Sequence, residues 1–191
     1  MAADTRDRML DAARECLLDD GYANLSTRRI ADRAGVPLSQ IHYHFGGRRG
    51  LVLALLASEN ERLVDRQTQM YAAEASLSQR YDQACDFLDE DLASGYVRIL
   101  QEMVAAGWSD PAVAEQATTM LGEWFDLLTA VMREAEKQFG PIGPFRAEDV
   151  AALVGMVFLG GESLLLLGDR WADPVRTALR RVGDLIRAAE A

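Results

Sequence analysis

Arginines fall in pairs where three helices are expected to begin: Arg6 with Arg8, Arg28 with Arg29, and Arg48 with Arg49. A cation there faces the positive end of the helix dipole, at a penalty of about 0.3 to 1 kcal/mol for each exposed site. An anion placed at the same end reverses the sign, because guanidinium groups and unpaired amides then point at one charge. DNA phosphate is the anion this pattern fits. The competing reading is of solvated surface arginines in a chain whose only lysine is Lys137. Other reactive side chains lack the spacing that chemistry needs. His42 and His44 are two apart and lie on different sides of a helix, with no third ligand in view, so no metal is predicted. Cys16 and Cys85 fall within apolar helical patterns and read as reduced core residues. The chain has no glycine-rich phosphate loop, no HExxH and no nucleophile elbow, so neither an enzyme nor a cofactor is predicted.

The elements that would position these residues are all helical, because apolar residues recur every three or four positions and no segment alternates as a strand would. Helix one is expected from Thr5 as N-cap to Gly21, with Met9, Leu10, Ala13, Leu17 and Leu18 on its apolar side. Helix two starts at Ser26 or Thr27, carries Ile30, Ala31 and Ala34, and stops at Gly35. A third helix follows at once, with Pro37 in its first turn and Gly46 and Gly47 ending it. Two short helices joined by a tight glycine turn make a helix-turn-helix. The spacing predicts further helices over about 48–71, 77–92, 96–106, 111–139, 147–167 and 174–189. The predicted fold class is therefore all-α, with a three-helix helix-turn-helix domain over 1–47 and a larger helical ligand-binding and dimerisation domain over 48–191. Residues 48–71 would link the two.

Charge divides along the same line. Of 20 basic and 30 acidic residues, the first fifty positions hold eight arginines and seven acids, leaving twelve basic and twenty-three acidic residues for the rest. An acidic body repels phosphate, so only the N-terminal part can face DNA. Met1 to Arg8 contain no apolar signal segment, and the apolar run 153–167 is interrupted by Glu162 and falls short of the roughly 20 residues of a membrane span. The expectation is a cytoplasmic protein with no membrane partner.

Residues 5–56 resemble the N-terminal domain of tetracycline-repressor family regulators. The resemblance rests on Leu10-Asp11-Ala12-Ala13, Gly21-Tyr22, Ser26-Thr27, Ile30-Ala31, Ala34-Gly35-Val36, Ile41-His42-Tyr43-His44-Phe45 and Gly50-Leu51, in that order. It implies a homodimeric transcriptional regulator that binds a double-stranded operator, with an all-helical and usually ligand-binding body. It further implies that Thr27, His42, Tyr43 and Arg48 contact backbone phosphates. Ser39 stands where the family often has glycine, Gly47 replaces the usual serine or asparagine cap, and Arg48-Arg49 replaces lysine-glutamate.

Base reading is expected of the third helix, which can enter a major groove. Gln40 can pair with adenine, Ser39 can bond a base or phosphate, and Leu38 can touch a thymine methyl, while Ile41 and Phe45 pack inward. Arg28, Pro37 and His44 complete the predicted DNA-facing set; for Tyr43 and His44, packing against helix one is the competing reading.

In the body, Tyr96, Met103, Trp108, Trp124, Phe125, Leu128 and Phe158 are candidates to line an effector site for a small, largely apolar molecule. The reading predicted is a repressor released from a pseudo-palindromic operator by that effector. The alternative is a regulator of the same fold with a filled core, answering to a protein partner or acting constitutively. The dimer is assigned to the last two helices through Phe158, Glu162, Leu165, Val175, Leu179, Val182 and Ile186, because the first of them is apolar nearly all round.

Overall fold

A computed structural model describes residues 2–191, with side chains from Asp4 onward. Its helices are α1 (Ala2–Asp20), α2 (Thr27–Ala34), α3 (Leu38–Phe45), α4 (Arg48–Ala72), α5 (Leu77–Ser94), α6 (Tyr96–Gly107), α7 (Pro111–Phe139), α8 (Ala147–Leu166) and α9 (Asp169–Glu190), with one 3-10 turn over Tyr22–Asn24. Among the described residues the only extended pairing is a single bridge between Ile142 and Phe145.

Two boundaries differ from the sequence reading. Helix α1 begins at Ala2 rather than at Thr5, because Ala2 and Ala3 are strong helix formers and Asp4 suits the positive end of the dipole. Arg6 and Arg8 therefore lie beyond the first turn, where the dipole penalty has faded. Helix α9 begins at Asp169 and carries Pro174 inside it. A proline in the second turn forfeits one backbone bond without stopping the helix, so Asp173-Pro174 is not the boundary. The turn lies at Gly168, whose φ of 112° suits a glycine.

The chain forms two compact units. One comprises residues 1–62 with 98–120, the other 63–97 with 121–191. In the first, Met9, Ala13, Cys16, Leu17, Ile30, Ala31, Ile41, Leu51, Val52, Leu55 and Leu56 are buried, so α1 to α3 and the start of α4 each turn an apolar side inward. Compactness thus groups α6 and the start of α7 with the helix-turn-helix.

In the second unit, Cys85, Leu88, Val97, Phe158 and Leu179 form a core onto which Tyr81, Trp124, Val154, Leu165 and Val175 pack. Gly155 lets Phe125 approach α8, since a Cβ there would meet the ring at 2.3 Å. Helices α5 and α9 are joined along their exposed edges by Arg176 to Asp89 at 2.7 Å, Arg180 to Asp86 at 2.5 Å and Arg187 to Asp82 at 2.5 Å. At 20 residues α8 is long and apolar enough to cross a membrane by length and composition, contrary to the shorter span read from sequence. In this fold it buries Ala151, Gly155, Phe158 and Gly161 within its unit.

Candidate nucleic-acid interface

The turn between α2 and α3 is built by Gly35, in the left-handed region at φ 64°, whose N–H reaches back to the carbonyls of Ala31 and Asp32. Burial of Ile30, Ala31, Ala34 and Ile41 locks the two helices together. An eight-residue helix is too short to persist alone, so this packing is what holds α3 in shape. Its outer side then carries Leu38, Ser39, His42 and Tyr43 in the open, with Gln40 and His44 half-buried and Pro37 exposed just before it. Tyr43 is 82% exposed, which rules out packing against α1 for that ring. His44 instead meets Tyr43 edge to face at 5.0 Å. Phe45 is half-buried beneath the guanidinium of Arg6, 5.6 Å from its centroid.

Most of the paired arginines have partners, which the sequence did not signal. Arg8 donates to the Ala34 carbonyl at 3.4 Å, at the negative end of α2. Arg29 pairs with Asp20 at 2.6 Å, and Arg33 pairs with Asp19 at 2.7 Å. Arg49 lies 3.3 Å from Asp110, and Arg48 donates to the Tyr22 carbonyl while lying over the Tyr22 ring at 4.8 Å. Arg6 has only the Phe45 ring, and Arg28 alone of the three opening pairs has no ion pair, side-chain hydrogen bond or ring partner among the described residues. Unsatisfied helix ends therefore explain only Arg28. The others are satisfied by carboxylates, carbonyls or rings that only folding brings near. Thr27, half-buried in the first turn of α2, sits beside it.

A clasp from α6 secures this region. Arg98 donates to the Leu18 carbonyl at 2.8 Å near the end of α1, and Glu102 accepts the Tyr22 N–H at 2.6 Å while pairing with Arg98 at 3.0 Å. The cation thus meets the helix end that is short of donors, and the carboxylate meets the amide beyond it.

Residues 9–55 match the family model described as "Bacterial regulatory proteins, tetR family". The transcriptional regulator UidR of Escherichia coli K12 is 24% identical over 143 residues, covering 75% of this chain and 71% of that protein. Residues 9–55 are a tetR-family helix-turn-helix domain. The chain is a DNA-binding transcriptional regulator with a helix-turn-helix, and it shares its fold with solved structures along nearly its whole length. A regulator from Saccharomonospora viridis in complex with choline has a TM-score of 0.79 at 21% identity, covering 94% of this chain and 95% of that one. FadR of Bacillus subtilis in complex with stearoyl-CoA has a TM-score of 0.75 at 16% identity, covering 94% and 96%. At these identities the likeness is one of fold.

The effector candidates are divided between the two units. Met103 is buried in the unit that holds the helix-turn-helix, and Trp108 in that unit is 85% exposed, so its ring lines no interior. Tyr96, Leu128 and Phe158 are buried in the other unit, where Trp124 and Phe125 meet edge to face at 5.4 Å. Trp124 donates to Gln67 at 2.9 Å, and Tyr81 meets Phe158 edge to face at 6.1 Å. Two further polar groups lie in that unit: Tyr71, which the sequence did not single out, and Cys85, expected as a reduced core residue and found buried and free. Burial pushes the Tyr71 hydroxyl up to about 12 and the Cys85 thiol up to about 11, so both stay protonated at neutral pH.

The interface candidates also divide. Phe158 and Leu179 are buried within their own chain, and Leu165 and Val175 lean on the same core. The spacing of 175, 179, 182 and 186 marks the inward side of α9, which reads like an interface in sequence because both are apolar. Glu162 is buried, and Val182 and Ile186 are half-buried. The exposed large apolar residues of these helices are instead Leu153, Met156, Val157 and Leu166 on α8, Leu167 just after it, and Trp171 and Leu185 on α9. The spacing of the acids 82, 86 and 89 against the arginines 176, 180 and 187 was the available signal for which side of α9 faces α5.

Proposed function

We propose that this regulator is a homodimeric repressor in the cytoplasm that reads a pseudo-palindromic operator through α3 and is released when a small, largely apolar effector binds its body. The observation that carries the reading is the open, polar outer side of a helix too short to fold alone, with Ser39, His42 and Tyr43 exposed and Gln40 beside them. Residues 1–47 act as the DNA-binding part and 48–191 as the effector and dimer part, with 48–71 linking them. Thr27, Arg28 and Arg48 grip phosphate, and Leu38, Ser39 and Gln40 face bases. The dimer seam follows Leu153, Met156, Val157, Gly160 and Leu167 at spacings of three, four and seven, together with Trp171, Ala178 and Leu185 at sevens, as in packed helix pairs.

An apolar effector is supported by the aromatic interior around Trp124, Phe125 and Phe158, and by the choline and stearoyl-CoA held by two proteins of the same fold. The second reading, regulation without a small molecule, is favoured by Phe125 filling the space over Gly155 and by Trp124 already bonded to Gln67. Selection of bound duplexes from a random library tests the first part: palindromes with half-sites about one helical turn apart should be enriched, and Gln40→Ala should relax preference at particular positions. Equal losses for Gln40→Ala on selected and random DNA would remove it from base reading. Stearoyl-CoA and choline are the first effector probes. Binding of either must weaken operator affinity by the same factor by which operator weakens it, and silence from a wider apolar panel favours the second reading.

A further inference from the structure

Two adjacent arginines open α4, and their partners differ in kind. Arg48 is held by a carbonyl and a ring, both neutral, so its full charge remains available. Arg49 is held by a carboxylate, Asp110 Oδ2 at 3.3 Å, which cancels that charge. Arg29 is also paired with a carboxylate, but Asp20 lies on α1 within the three-helix head. Asp110 comes from the turn between α6 and α7.

That turn is held firmly. The Asp110 amide donates to the Ala106 carbonyl at 3.0 Å, and Gly107 lets α7 approach so closely that a Cβ there would stand 3.0 Å from the Ala114 Cα. Asp110 Oδ1 accepts the Ala112 N–H at 3.1 Å and so caps α7. One oxygen thus fixes the side chain to its own helix while the other is offered to Arg49. The Asp110 side chain is 21% accessible against 66% for Arg49, so the carboxylate is fixed against its own turn while the arginine stands in the open, within reach of an outside anion.

We propose that Asp110 is a built-in stand-in for DNA phosphate: it neutralises Arg49 in the unbound protein, and binding exchanges this carboxylate for a backbone phosphate. The α6–α7 turn then sets how many cations the head offers to DNA, and withdrawing or advancing Asp110 tunes affinity without touching the base-reading helix. This rests on the reading that the start of α4 faces the DNA backbone.

The test uses the full-length protein and a random-sequence duplex, for which phosphate contacts supply nearly all the affinity. Asp110→Asn removes the charge but keeps the cap, since asparagine caps helices as well as aspartate. It should tighten binding about two- to fivefold at low salt, the range of an exposed ion pair. It should also steepen the dependence of log K on log salt by about one phosphate contact. Combined with Arg49→Ala it should give no gain over Arg49→Ala alone. Asp110→Ser, another good cap, supplies a second reading should the asparagine variant fold poorly. If both cap-preserving variants leave affinity and slope unchanged while Arg49→Ala weakens binding, Asp110 does not compete with phosphate and the proposal falls. If Arg49→Ala and Arg48→Ala are both without effect, the placement of α4 against DNA falls first.

Discussion

Around the recognition helix the exposed side chains are Leu38, Ser39, His42 and Tyr43, whereas along α8 and α9 the large apolar residues left exposed are Leu153, Met156, Val157, Leu166, Trp171 and Leu185. Both regions hold residues that single-chain packing leaves open, but their chemistry is opposite. A mixed, largely polar outer side on an eight-residue helix stays soluble on its own and can meet base edges and phosphates. A stripe of bulky apolar residues does not, and contiguous apolar exposure of this sort is what the proposed dimer seam would cover. The supports differ as well. Arginines of the head are committed to Asp20, Asp19, Asp110 and Tyr22, while α9 uses its arginines on α5 and leaves the neighbouring side apolar. Exposure alone therefore locates a working surface, and the type of residue exposed says what it meets.

The comparison breaks most severely at Leu179, which lies inside the α5–α8–α9 core rather than on the exposed stripe. Leu179→Ala should cost about 2 to 5 kcal/mol in chemical denaturation while the folded protein stays dimeric. A variant of unchanged stability that sediments as a monomer would put the seam through Leu179 after all.

Next in size is the stripe itself. Met156→Asp with Leu185→Asp places charge at positions 58% and 71% exposed in the single chain, so each subunit should still fold. Sedimentation should show monomers, and operator affinity should drop about 100-fold or more once the two heads no longer bind as one unit. A dimer that survives both substitutions would assign the stripe to some other occupant.

The smallest effect sharpens the head. Arg28, without an ion pair among the described residues, should contribute one phosphate contact on any sequence. Arg28→Ala is expected to weaken operator and random DNA alike and to flatten the salt dependence by about one contact. A loss confined to operator would make Arg28 a base reader instead.

Much of this was open to a reader of the sequence. The all-helical pattern, the glycine turn at Gly35, the inward Ile41 and the outward Leu38, Ser39, His42 and Tyr43 follow from local periodicity and turn chemistry, which neighbouring residues carry within a few positions. The sequence also pointed to α8 and α9 as unusually apolar. What its apolar spacing alone could not determine was which apolar side of α9 faces its own chain and which faces outward, because Leu179 and Leu185 have the same chemistry and differ only in what folds against them; the arginines at 176, 180 and 187 were the one hint. Nor could it pair Arg49 with Asp110, sixty-one positions apart, or Tyr22 with Glu102 at eighty. Those partnerships are long-range, and local spacing carries no trace of them. Only the tertiary structure decided that the arginines opening α4 are already occupied.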